Sequence, residues 1–356
     1  MKSMKQLYKV FFAGASALFL SLPALASAHE VYVLTPAEIT KDTTEPAFPF
    51  MDVVMSDMHH FVFWGFITAL VIVLVFLISI SRKLENIFDP FFMRMRKYAP
   101  LICRVTVGIA FLAAAYNSAA YGPELPLVNT WGMYTIVVRG VLVCLGILTI
   151  FGVWVRAAAI VALGLYAVNV YFHGFYMLTY TNYLGEVLIL LLVGTHEKSV
   201  GRAKGFVART TKFFEPYSFL ILRVCFGVSL FYASFYAKFL HNNLALDVAS
   251  GNGFLASIPM HAHTVAYYLG FEPHFLVLGA CIVEFIIALF FIFGIEIRFT
   301  SLFLEIWLAL SLWYFGETVW PHLILIGIPI AFIFYGYDKY SLEGMVFKDP
   351  KRQPML

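Results

Sequence analysis

Charge is what this sequence has least of. Only 13% of its 356 residues are Asp, Glu, Lys or Arg, against 61% hydrophobic and a mean hydropathy of +0.84. That balance excludes an ordinary water-soluble domain and fits a chain that sits in lipid. A basic excess is also missing. The net charge of +3 is carried by Lys2, Lys5 and Lys9, and without them 21 Lys and Arg face 21 Asp and Glu, so no nucleic-acid partner is expected. Cysteine is scarce: Cys103, Cys144, Cys225 and Cys281 lie in apolar runs without C-x-x-C spacing, which excludes a disulfide framework or a zinc knuckle. No phosphate-binding glycine loop and no nucleophile motif occurs. Histidine is absent from the middle of every apolar run, so no haem is expected.

What is present begins with a leader. Lys2, Lys5 and Lys9 precede VFFAGASALFLSLPALA, which ends in Ala26-Ser27-Ala28, the small-x-small pattern of a signal-peptidase site. Residues 1–28 therefore read as a cleaved signal peptide, with His29 opening an exported segment, 29–60. In that segment HEVYVL alternates like a strand, and TPAEITKDTTEPAFP reads as a proline-broken linker. It is too short to bury its own core and is expected to lie on a longer exported loop.

Apolar windows long enough to cross about 30 Å of hydrocarbon as helix fall near 61–80, 101–119, 133–151, 155–172, 178–194, 217–238, 274–294, 298–315 and 320–336. The expectation is an all-α integral membrane protein with nine spans. With His29 exported, alternation makes segments 81–100, 198–216 and 341–356 cytoplasmic. The stretches around them carry most of the basic residues, the turns holding Arg156 and Arg298 fall on the same side, and only Lys41 stands in an exported loop. This is the positive-inside bias. It places the chain in the bacterial inner membrane, with the mature N-terminus periplasmic and the C-terminus cytoplasmic.

Two strings recur. LICRVTVG at 101–108 returns as LILRVCFG at 220–227, and IFGVWVR at 150–156 returns as IFGIEIR at 292–298. Each string opens or punctuates four spans, so the first span would precede two parallel four-helix repeats, 101–197 and 217–340. The offsets, 119 and 142, locate an insertion of 23 residues in the second copy. It falls in the exported, His-rich stretch 239–273.

A four-helix unit that opens on L-x-R-x-x-x-G, with Lys238 near the far end of that helix, Glu284 in the next and a G-x-x-x-R turn before the third, resembles the DoxX/DoxD-like membrane family. The resemblance spans 101–340 as two fused units and is better in the second; the first lacks the lysine and has Arg139 where the acidic helix is expected. It implies a membrane subunit of a quinone-linked oxidoreductase, in named members one that oxidises sulfur compounds, working with a separate redox partner. By itself the chain is at most a subunit of such an enzyme.

Ionisable groups at span depth default to functional candidates. Glu284, Glu186 and Glu305 are the deep carboxylates; Arg223 sits near the inner edge, Arg139 and Lys238 toward the outer. On a helical wheel Arg223, Gly227, Ser234 and Lys238 form one stripe that could face the seventh span. Two readings stand: packing glycines with charges that snorkel, or a quinone and proton site in which Glu284 takes up protons while Lys238 or Arg139 stabilises a reduced headgroup.

A competing class of function comes from the exported face. His29 with its freed amino group, Met58, His59 and His60 of MDVVMSDMHHF, and Met260, His261 and His263 of IPMHAH mix imidazole and thioether, a donor set suited to copper. A copper-handling or transport protein, or a membrane scaffold without chemistry, is thus the alternative to a quinone-linked subunit.

Overall fold

The computed structural model describes residues 34, 36–58, 61–194, 213–249, 273–315, 320–337 and 340–347. Among them the regular structure is all helical, apart from one isolated bridge between Ala119 and Pro126. Two short helices, α1 (Pro36–Thr44) and α2 (Phe50–Asp57), lead into α3 (Phe61–Met95). After them come α4 (Ala99–Asn117), the short α5 (Leu127–Trp131), α6 (Thr135–Phe151), α7 (Val155–His173) and α8 (Thr181–Val193). The second half holds α9 (Ser218–Ser234), the short α10 (Asn242–Asp247), α11 (Pro273–Phe293), α12 (Ile297–Phe315), α13 (His322–Tyr335) and α14 (Leu342–Phe347).

Among the described residues six stretches are long and apolar enough to cross a membrane: Phe63–Ile80, Lys83–Asn117, Leu127–Phe151, Val155–Val193, Glu215–Leu240 and Pro273–Phe293. The difference from the nine expected windows has a geometric reason. Val155–Val193 is one helical run only in sequence, because Arg156 at its start bonds the carbonyls of Leu191 and Leu192 near its end, at 3.1 and 3.3 Å. A straight helix would hold those residues about 50 Å apart. The run folds back at the 3₁₀ stretch Gly174–Tyr180, so α7 and α8 are an antiparallel pair. Arg298 joins the start of α12 to the Ile333 carbonyl of α13 in the same way, at 2.8 Å, and α13, His322–Tyr335, is apolar but shorter than the 18 residues a span needs.

Two sequence readings of local structure are corrected. The expected linker at TPAEITKDTT is helical as α1, which has Pro36 at its first position, Glu38 in its first turn and Lys41 in its last; these residues suit the helix ends they occupy. The expected basic loop 81–100 is mostly helix: α3 continues to Met95 through Pro90 and passes by a 3₁₀ turn, Arg96–Tyr98, directly into α4. Its polar residues are not loop formers but partners, since Glu85 and Asp89 receive Arg298.

Helix packing is reciprocal. α4 packs on α6 and α9 on α11, while α8 lies on α9 and α13 returns to α4. Glycines set the closest approaches: a Cβ on Gly185 of α8 would come 2.9 Å from the Cys225 side chain of α9, and one on Gly327 of α13 would come 2.3 Å from Thr106 of α4. Gly327 lies 142 residues after Gly185, and Cys225 lies 119 after Thr106. The turns match too: Gly152 and Trp154 have φ of 73° and 49°, Gly294 and Glu296 of 70° and 48°. Glycine carries the left-handed conformation without a Cβ penalty, which is why it stands at the head of both turns.

Candidate functional site

α9 does not end as an α-helix. Its last turn widens into a π-helical stretch, Phe235–Leu240, a rare feature that is frequent at functional sites. Lys238 lies in that turn, 6% exposed, and its Nζ is 3.1 Å from Glu284 Oε2 on α11. Glu284 is near the middle of α11, about 16 Å along from Pro273. Two of the sequence candidates are therefore brought together as an ion pair. A pair so enclosed contributes little net stability, because desolvation offsets most of its Coulomb attraction. Chemically it offers N–H donors beside a carboxylate able to give or take a proton.

The stripe that contains Lys238 faces α11 along its length. Below the ion pair Gly227 lets α9 meet the Ile292 side chain and the Ala288 carbonyl. Next, Arg223, 2% exposed, donates from Nη1 to the carbonyls of Phe291 and Ile292 at 2.6 and 2.8 Å. A cation on the last carbonyls of a helix complements its dipole, so Arg223 acts as a clamp on the C-terminal end of α11. Arg139 is not part of this cluster: it is exposed on α6 and donates to the Ala115 carbonyl of α4 at 3.0 Å. Glu305 lies apart on α12, half-buried, with an enclosed Oε1 that receives no hydrogen bond.

Glu186 belongs to a second cluster. It is wholly buried on α8; its Oε1 accepts the Thr106 hydroxyl at 2.8 Å and its Oε2 has no hydrogen-bond partner. Toward the N-terminal end of α8 lies a group of tyrosines that the sequence reading passed over. Tyr121, Tyr166, Tyr180 and Tyr183 are each at most 9% exposed. Tyr180 and Tyr176 both donate to Glu124 Oε1, the second at 3.2 Å, and Tyr183 donates to the Tyr121 carbonyl at 3.2 Å. Tyr176 meets Tyr236 of the π-helical turn at 5.1 Å between ring centroids. The spacing Tyr176, Tyr180, Tyr183 along one chain stretch was the available signal, obscured by the general abundance of aromatics.

The N-terminal segment lies on the described stretch that follows the π-helical turn, as expected of a segment too short to bury its own core. Phe48 and Asn242 exchange hydrogen bonds at 2.9 and 2.7 Å, Lys41 is 3.5 Å from Asp247, and the Phe48 ring meets His274 at 4.8 Å. Leu34, Leu244 and Val248 form a small separate core beneath it. Burial raises the Asp42 carboxyl above its usual range, with Asp247 adding to the effect, while Asp247 foremost raises Lys41. Of the proposed metal donors only Met58 is described, half-buried after α2; His29, His59, His60, Met260, His261 and His263 lie outside the described residues. Among the described residues no group of three or more His, Cys, Asp or Glu is arranged to hold a metal.

A helical protein with several membrane-length apolar helices and an intramembrane Lys–Glu pair is the class these features define. Residues 218–317 match the family model described as DoxX. The match begins with α9 and ends just beyond α12, and so contains both Lys238 and Glu284. No curated protein and no solved structure matches the chain.

Proposed function

We propose that this protein is a DoxX-type membrane subunit of a quinone-linked oxidoreductase, and that Lys238 and Glu284 form its quinone and proton site. In this reading it crosses the bacterial inner membrane nine times, as α3 followed by two parallel four-helix copies, α4 with α6 to α8 and α9 with α11 to α13. Its mature N-terminus faces the periplasm and its C-terminus the cytosol. The antiparallel α7–α8 and α12–α13 pairs support the crossing number, and the recurrence of clamps and tight turns at an offset of 142, with the close approaches Gly185 on Cys225 and Gly327 on Thr106 related by 142 and 119, supports the duplication.

The observation that carries the reading is the Lys238–Glu284 pair on a π-helical turn inside the matched segment. Reduction of a quinone takes up electrons and an equal number of protons. Electrons would come from a redox centre on a separate partner protein, which the chain must meet. The Lys238 ammonium would donate to a quinone oxygen and stabilise negative charge as it builds, and Glu284 would deliver the proton. Sulfur-compound oxidation is the electron source that the family resemblance suggests.

Membrane vesicles holding the full chain with its partner test this. Quinone retained on purification and donor-dependent quinone reduction should both fall in Lys238→Met and Glu284→Gln, with Lys238→Arg keeping part of each. Unchanged quinone content and reduction in both variants, at equal protein levels, would refute it.

A further inference from the structure

The geometry points to a proton-exchange site at Glu186, reached from the outer face through Glu124 and the buried tyrosines of α8 and its neighbours. It is separate from the Lys238–Glu284 pair and does not rest on the function proposed for that pair.

Three observations carry it. Glu186 is fully enclosed, and while Oε1 accepts from Thr106, Oε2 has no donor. An isolated carboxylate is not kept in such a place without compensation, and Oε2 is the atom left to hold a proton. The tyrosines then run outward from it. Tyr183 stands one helical turn before Glu186; its ring is 5.0 Å from Tyr121 and 6.1 Å from Tyr180, measured between centroids. Tyr180 and Tyr176 share the Glu124 carboxylate, Tyr176 touches Tyr236, and the Tyr236 ring lies 4.7 Å from His241 at the outer end of α9. Finally, interfacial tyrosine belts lie at headgroup level facing lipid, whereas Tyr121, Tyr180 and Tyr183 are at most 5% exposed. Their place inside the bundle is not that of a belt.

Other groups around Glu186 leave this route as its polar approach. α4 presents Thr106 and Cys103, α9 brings Cys225 against Gly185, α13 brings Gly327 against Thr106, and α7 contributes Tyr166 farther out beside Tyr121. No basic side chain is hydrogen-bonded or ion-paired to Glu186 among the described residues. A proton taken from outer water would pass by way of Glu124 and rotating tyrosine hydroxyls, with transient water in the gaps, to Glu186 Oε2, and leave by the same path. No other bond is made or broken.

Infrared difference spectroscopy on the full chain in lipid nanodiscs tests the site without reference to activity. The wild type should show a protonated-carboxyl band that is missing in Glu186→Gln and that shifts in heavy water. Exchange of that band should slow by about a hundredfold, the lower end of what a positioned proton-transfer group contributes, in Tyr180→Phe and Glu124→Gln, and stay unchanged in Tyr171→Phe, whose ring is 84% exposed. If Glu186→Gln does not fold, Thr106→Val makes the assignment, because loss of the hydroxyl must move the band. A spectrum without such a band, a band that Thr106→Val leaves in place, or exchange equally fast in all the tyrosine and Glu124 variants would overturn the proposal.

Discussion

Replacing Arg298 by methionine is the sharpest test of how the junction of α3, α12 and α13 is held. Arg298 is 5% exposed and bonds three groups: the Ile333 carbonyl at 2.8 Å, Asp89 at 2.7 Å and Glu85, itself 2% exposed. Its removal strands two carboxylates beside each other with no cation between them. Breaking a buried ion pair by deleting one partner costs about 3–5 kcal/mol, a third or more of the stability of many domains. Arg156 provides the internal control: it makes the corresponding clamp on the Leu191 and Leu192 carbonyls but pairs with no carboxylate among the described residues, and it is only half-buried. Its loss should cost about 1–2 kcal/mol, given that charged hydrogen bonds of good geometry are worth roughly 1.5–3 and these are long. Denaturant midpoints of the purified protein in detergent would measure both. Adding Glu85→Gln and Asp89→Asn to Arg298→Met should recover part of the loss by neutralising the stranded charges. The reasoning fails if Arg298→Met is no worse than Arg156→Met, or if the two amide substitutions deepen its defect.

Gly327→Ala should lower the melting temperature, because its Cβ would fall 2.3 Å from Thr106 on the facing helix; overpacking of this kind costs about 1–3 kcal/mol. Gly164→Ala, where a Cβ meets nothing within 4 Å, should be neutral or gain up to about 1 kcal/mol in helix propensity; equal melting shifts for the two would show that the approach is slack. The docking of α1 should depend on pH through Asp42. Its folded-state carboxyl is raised by burial, so the contribution is fully present below the unfolded carboxylate range and is lost as pH rises through the folded value. Hydrogen exchange in 36–44 should quicken across that window, and Asp42→Asn should flatten the profile; a variant that keeps the same pH dependence would exclude Asp42 as its source.

Much of the architecture was legible because it is written in periods and offsets. Hydrophobic runs located the helices, and the recurrence of G-x-x-x-R located two matching turns; that Arg156, Arg223 and Arg298 bond the carbonyls at the ends of neighbouring helices was not read from the strings. The wheel position of Lys238 relative to Arg223 placed both on the face toward α11, and Glu284 lay where that lysine could reach. Harder to read were features that depend on tertiary context. The charges of 81–95 look like those of a cytoplasmic loop, yet Glu85 and Asp89 are helical because Arg298, more than 200 residues away, takes both. Arg139 stands at a plausible depth but on a helix that packs elsewhere. The tyrosine cluster has no motif of its own: Tyr121 and Tyr183 are 62 residues apart, and only folding α8 back beside α4 makes them neighbours.

On the duplicated reading, what the halves share and what they do not are of different kinds. Shared positions are mechanical: Arg156 and Arg298 on helix ends, Gly152 and Gly294 in turns, Gly185 and Gly327 at close approaches. Polar groups of the membrane interior are not shared. Glu284 corresponds to Leu142 and Lys238 to Ala119, while Glu186 corresponds to Ile328 and Thr106 to Cys225. Each half keeps the scaffold and gives up the other's intramembrane carboxylate. Had these carboxylates served packing, the equivalent helix contacts would retain them in both halves, because the same backbone spacing imposes the same steric demand. Their segregation, with an ion pair on α9 and α11 and a hydroxyl-bonded acid on α8 and α4, fits the two separate proton sites proposed above, and the Tyr176–Tyr236 ring contact joins the two clusters.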